Sequence, residues 1–122
     1  GMNASARDLA KFGLMLMNNG AFNNAQIVPE SWIKSTLEES AEYKNIFSKS
    51  EYGLRLPGFH YKNQTWVGGP ETMICIGIYG QAIYVDQKNK VVIVKLSSHP
   101  VPDDPLILGN TFLGIAALSE NI

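Results

Sequence analysis

Three groups of residues in this 122-residue chain carry side chains able to do chemistry. Ser31-Trp32-Ile33-Lys34 fits Ser-x-x-Lys, in which a serine at the start of a helix has its hydroxyl beside a lysine amine one turn on, able to act as base. Tyr43-Lys44-Asn45 and Tyr61-Lys62-Asn63 fit Tyr-x-Asn, a pattern that accompanies Ser-x-x-Lys in one class of serine nucleophile. Each match fixes only two residues. The competing structural reading puts Ser31 in an exposed first turn, Lys34 on the solvent face and both tyrosines in connectors.

Cys75 with His60 or His99 as base would be a thiolate nucleophile, which needs an accessible, electropositive position. Its neighbours Ile74 and Ile76 lie on a strand pattern, which favours a buried structural thiol. Two histidines, expected at surface or loop positions, are too few to argue for a metal, and no carboxylates stand at zinc-ligand spacing. No cofactor is implied. The most informative stretch is residues 75–86, where Gly77 and Gly80 interrupt a strand. Glycines there signal either a bulge or hairpin bend, or a close approach that lets backbone N–H groups serve as an oxyanion donor or pair with an extended substrate.

Composition limits the classes of function. Ten Lys and Arg against eleven Asp and Glu give a net charge of -1 with no basic stripe, which argues against nucleic-acid binding. Hydrophobic residues make up 45 %, the profile of a single soluble globular domain. Apolar runs such as residues 91–94 are far too short to span a bilayer, and no membrane partner is expected. A single cysteine excludes an internal disulfide framework. Gly1 before Met2 reads as a cleavage scar, and no secretory signal follows; no localisation is assigned.

The elements that must position these residues follow from periodicity and caps. Ser5 and Asp8 form a capping-box pattern for a first helix, on which Leu9, Phe12, Gly13 and Leu16 recur at helical spacing and Leu14, Met15 and Met17 widen the apolar face to both sides. Asn18-Asn19-Gly20 stops it, and a short loop is expected to about Gln26. Pro29 suits the first turn of a second helix running to about Ser40, with Trp32, Ile33 and Leu37 inward. Residues 41–51 read as a polar connector. Alternation of Tyr52, Leu54 and Leu56 predicts a strand before the Pro57-Gly58 turn. Further strands are predicted over 64–67, 73–79, 81–85 and 90–97, the last apolar on both faces and so expected at the centre. Short connections favour an antiparallel meander. Asp103 or Asp104, then Pro105, opens a last helix with Leu108, Phe112 and Ile115 inward. The fold class is α+β, an antiparallel sheet packed with helices.

The succession of Ser5-Ala6-Arg7-Asp8-Leu9-Ala10-Lys11-Phe12-Gly13, Gln26-Ile27-Val28-Pro29-Glu30-Ser31-Trp32, Tyr52-Gly53-Leu54, and Gly77-Ile78-Tyr79-Gly80-Gln81 with Val85-Asp86 resembles the C-terminal part of the serine β-lactamase-like hydrolases. Within that superfamily, which includes the penicillin-binding proteins, it is most similar to the class C-related esterases and 6-aminohexanoate-dimer hydrolases. The resemblance covers nearly the whole chain in order. It implies the C-terminal portion of a β-lactamase/transpeptidase-like fold, with residues 2–122 a single, incomplete domain portion. The family's Lys-Thr-Gly strand falls on Cys75-Ile76-Gly77, so that only Gly77 is retained and the lysine charge is lost. Ile78 would then present the backbone N–H that makes half of an oxyanion hole, with Tyr79 and Gln81 as substrate-binding candidates. The family's Ser-x-x-Lys and Tyr-x-Asn precede the Ala-Arg-Asp-Leu-Ala helix, and Ser31-x-x-Lys34 aligns with a structural helix start. The resemblance therefore implies a truncated amide or ester hydrolase, inactive alone. The alternative is a non-enzymatic module that oligomerises or binds a separately encoded N-terminal half. Family members are often periplasmic or cytoplasmic.

Overall fold

A computed structural model describes residues 2–122, so the reading of Gly1 as a scar lies outside the described residues. Helix α1 (Ala6–Met17) starts as its cap signals require: the Ser5 hydroxyl accepts from the Asp8 N–H (3.2 Å) and donates to the Asp8 carboxylate (2.7 Å). Gly13, Met15 and Leu16 are its buried residues, whereas Phe12 and Leu14 are exposed, so the helix is covered on one side rather than on both. Gly20 at φ 89 ends the segment. The expected loop is in fact a small hairpin, β1 (Ala21–Phe22) with β2 (Ala25–Gln26), turned by Asn23 and Asn24 at φ 50 and 61. Two consecutive left-handed residues are what a two-residue hairpin turn demands, and asparagine tolerates them.

Helix α2 (Glu30–Leu37) has Pro29 as its N-cap and ends before Ser40, which instead caps the next helix. Ile33, Thr36 and Leu37 face inward; Trp32, expected inside, is exposed. The connector and strand expected over residues 41–56 are two short helices, α3 (Ala41–Ser48) and α4 (Glu51–Arg55). Ser40 and Ser50 each accept a backbone N–H at an N-cap, from Tyr43 and Gly53. On α4 the apparent alternation inverts: Gly53 is buried against the Phe47 carbonyl, while Leu54 projects into solvent.

Five strands form one antiparallel meander in sequence order: β3 (His60–Lys62), β4 (Thr65–Gly69), β5 (Thr72–Ile76), β6 (Ala82–Asp86) and β7 (Val91–Lys95). β3 had no counterpart in the sequence reading, and β5 stops three residues short of Tyr79. The registers Met73↔Val85↔Val92 and Ile74↔Tyr84↔Ile93 put alternate residues on opposite faces. Val67, Met73, Ile83 and Val85 meet Met15, Leu16, Ile33 and Leu37 on one face; Ile74 and Tyr84 meet Ile115 on the other. β7 is one of the two edge strands of this sheet, not its centre. Its two-faced apolar character comes from helices above and below: Val92 and Val94 pack into the first core and Ile93 into the second.

Helix α5 (Pro105–Glu120) is capped by the Asp104 carboxylate, which accepts from Leu106 and Ile107 N–H (3.0 and 3.1 Å). Leu108, Phe112 and Ile115 turn inward as expected, joined by Ser119. The Ser119 hydroxyl donates to the buried Asp86 carboxylate (2.7 Å), which also accepts from the Asn89 backbone (3.0 Å) and side chain (2.8 Å). Burial pushes the Asp86 carboxyl up, but hydrogen bonds from Asn89 and Ser119 outweigh it and hold it below its ordinary value of 3.8. A depressed carboxylate contributes stability that is present above its unfolded value and lost as pH falls through the folded one. Asp86→Asn is therefore expected to lower stability at pH 7 by about 1–2 kcal/mol, and to flatten the loss of stability of the parent chain below about pH 4. Urea unfolding at stepped pH measures both; parallel curves for the two chains would contradict the assignment.

Among the described residues no helix is long and apolar enough to cross a membrane.

Candidate active-site loop

The strand that the sequence singles out leads into a tightly tied loop. Gly77 continues β5 in extended conformation, Ile78–Gly80 make one 3₁₀ turn, and β6 resumes at Ala82. Tyr79 (φ 64, ψ 20) and Gly80 (φ 87) are both left-handed. For Tyr79 this conformation costs of order 1–2 kcal/mol, which the surroundings must offset. They do so through the segment after β7. Tyr79 N–H donates to the Pro102 carbonyl (2.9 Å), and the Tyr79 carbonyl accepts from His99 N–H (3.0 Å) and the Ser97 hydroxyl (2.9 Å). Gly77 N–H donates to the Gln81 carbonyl (2.9 Å), and the Gln81 amide to the Ser97 carbonyl (2.9 Å).

Within this web the four sequence-predicted positions separate by role. Gly77 makes room for Gln81: a Cβ there would lie 2.9 Å from Gln81 Oε1. Tyr79 is tied into the loop through its backbone while its side chain is exposed, and the Gln81 side-chain amide donates to the Ser97 carbonyl. Ile78 differs, because its amide joins no hydrogen bond among the described residues and the residue is 70 % exposed. An unpaired N–H at an exposed turn is free to take an external acceptor. Lys95, Ser97 and His99, which complete the loop, were not singled out as a group by sequence; they converge only because β7 runs back antiparallel to β6.

Beside the loop, a cleft of about 550 Å³ lies between the sheet, α4 and α5. Its walls include Tyr52, Phe59, Trp66, Tyr84 and Phe112, and it reaches Gly77, Ile78, Gly80 and His99. Trp66 centres an aromatic cluster, 4.9 Å from Tyr61, 5.0 Å from Tyr52 and 5.7 Å from Phe47. Arg55 is held by Asp103 and Glu51, each at 2.6 Å, so its charge is already paired.

The other chemical candidates disperse. Lys34 pairs with Glu30 (2.8 Å) on the exposed side of α2 and Ser31 stands in solvent, as the structural reading of that motif expects. Tyr43 lies on α3 rather than in a connector, stacked on His60; Tyr61 lies on β3 against Trp66. His60, expected at the surface, is buried with its Nε2 3.3 Å from the Thr36 carbonyl. Cys75 packs among the α1/α2 core, where burial pushes its thiol up, the reverse of what a thiolate nucleophile needs. Among the described residues no three His, Cys, Asp or Glu side chains cluster as a metal site would require.

No family model matches the chain. A 6-aminohexanoate-dimer hydrolase from Paenarthrobacter ureafaciens is 33 % identical over 105 residues, covering 84 % of this chain and 26 % of that protein. Among solved structures, a Bacillus anthracis protein described as a candidate 6-aminohexanoate-dimer hydrolase superposes with a TM-score of 0.74 at 34 % identity, covering all of this chain and 31 % of the other. The chain thus spans about a quarter to a third of the length of the relatives it matches. In sequence and in fold the chain is thus similar to the 6-aminohexanoate-dimer hydrolases and shares part of their β-lactamase-like fold.

Proposed function

We propose that residues 2–122 form one incomplete domain portion that supplies the sheet side of an acyl-transfer site, with the Ile78 N–H as one of two oxyanion donors and Gly77, Tyr79 and Gln81 shaping its loop. The carrying observation is the unpaired amide of exposed Ile78 just past β5, in a loop whose neighbouring Gly77 and Tyr79 amides are already bonded. When a nucleophile adds to an amide or ester carbonyl, the oxygen gains negative charge, and a fixed N–H at about 2.7–3.1 Å stabilises that charge without reorganising. A backbone donor is indifferent to side-chain change, so the replacement of a Lys-Thr-Gly pattern by Cys75-Ile76-Gly77 leaves this role intact. It removes a cation that would hold a substrate carboxylate.

An oxyanion donor does not activate a nucleophile. Acyl transfer needs a serine with a base beside it, and Lys34, the lysine of the Ser31 motif, is tied to Glu30. The chain alone is therefore expected neither to cleave the 6-aminohexanoate dimer nor to react with a fluorophosphonate, as intact-mass measurement would register. Stoichiometric labelling at Ser31 would overturn this reading.

A second reading, a module that binds a partner or itself, is favoured by the open outer edge of β7 and by exposed Leu106, Leu113 and Leu118 on α5. Sedimentation of the same preparation distinguishes the two: this reading requires association at micromolar concentration, and a well-folded monomer would remove it.

A further inference from the structure

Lys95 Nζ stands behind the candidate loop, within hydrogen-bond distance of the Gly80 carbonyl (3.1 Å), the Ser97 hydroxyl (3.0 Å) and His99 Nε2 (2.9 Å). An ammonium has only donors, so it meets the carbonyl and the hydroxyl as acceptors, and none of the three partners is a carboxylate. Among the described residues no carboxylate lies within ion-pair distance of Lys95. A half-buried cation without a counter-ion is costly where only packing is needed. Its geometry suits another purpose. The ammonium holds the Gly80 carbonyl directly and reaches the Tyr79 carbonyl through Ser97, whose hydroxyl donates onward at 2.9 Å. Both peptide oxygens of the left-handed pair are thereby pinned, and the planes of those peptides govern the turn that begins at Ile78.

We propose that Lys95 is a positioning residue for the Ile78 N–H: through Gly80 and Ser97 it holds the left-handed turn that presents this amide, and it places uncompensated positive charge behind it. The inference rests on the reading of Ile78 as an oxyanion donor. With the ¹⁵N-labelled chain, NMR can follow the intraresidue amide-to-Hα contact of Tyr79, strong only at positive φ, the exchange rate of the Tyr79 amide, and the Ile78 amide shift on adding formate as a small oxyanion.

Lys95→Met is expected to weaken the Tyr79 contact, speed Tyr79 exchange roughly tenfold and reduce the formate shift, with α1 and β6 signals unmoved. Lys95→Arg, which keeps charge and donors, is expected to restore part of each. If Lys95→Met does not fold, Ser97→Ala breaks the relay alone and is read in the same way. An unchanged Tyr79 contact and exchange rate in these variants would overturn the proposal. Should formate leave Ile78 unmoved in the parent chain while Lys95→Met releases Tyr79, the donor reading fails and the positioning of the turn stands.

Discussion

Gly80→Ala is expected to destabilise the chain by about 3 kcal/mol and to detach the segment after β7 from the candidate loop. Two costs add at this position. Gly80 sits at φ 87, where a Cβ meets backbone and the left-handed form costs of order 1–2 kcal/mol. The same Cβ would also fall inside the His99 ring, which packs directly over the glycine. His99 cannot retreat without lengthening its hydrogen bonds to the Tyr79 carbonyl and to Lys95 Nζ. Displacement of His99 therefore removes two of the ties on the loop at once. Urea unfolding measures the stability loss, and the shift of the His99 ring resonances locates it. A variant within about 0.5 kcal/mol of the parent with unmoved His99 signals would show that the loop is not held as described.

Ile33→Ala is expected to cost about 3–4 kcal/mol, within the range for removing a fully buried branched side chain that neighbours cannot collapse to fill. Ile33 has no exposed surface and sits in the core formed by α1, α2 and one face of the sheet. Leu54→Ala is the contrast: 82 % exposed on α4, it is expected to change stability by no more than about 0.5 kcal/mol. The pair decides between two descriptions of residues 52–56, because a strand alternating at Tyr52, Leu54 and Leu56 would bury Leu54. Thermal or urea unfolding of the two variants side by side suffices, and comparable losses would contradict the helical assignment.

That contrast also shows where sequence periodicity stops being informative. Five residues of alternating polarity fit a strand, but they fit one and a half turns of helix as well, and Ser50 capping Gly53 N–H decides for the helix. The neighbouring segment 41–51 looked aperiodic because α3 buries only Phe47 and needs no apolar stripe. β3 went unread because it is three residues long, and His60 because a buried histidine is recognised only by the Thr36 carbonyl that meets it from α2. The edge position of β7 was hidden for a different reason: helices on both faces give an edge strand the same apolar run as a central one.

The sequence by itself determined the α+β class, the start of α1 at Ser5, the stop at Gly20, the opening of α5 at Asp103 or Asp104 with Pro105, the antiparallel meander and the resemblance to the 6-aminohexanoate-dimer hydrolases. It also marked residues 75–86, with Gly77 and Gly80, as the stretch worth attention. These depend on caps, turns and short connections, whose interactions reach only three or four residues along the chain. Tertiary structure alone decided that the Ile78 amide stays unpaired, that Lys95, Ser97 and His99 gather behind the loop, and that Cys75 faces the opposite core. Those outcomes depend on which strand lies beside which and which helix covers each face, and they bring together residues far apart in the chain, 15 positions for Lys95 with Gly80 and 24 for His60 with Thr36.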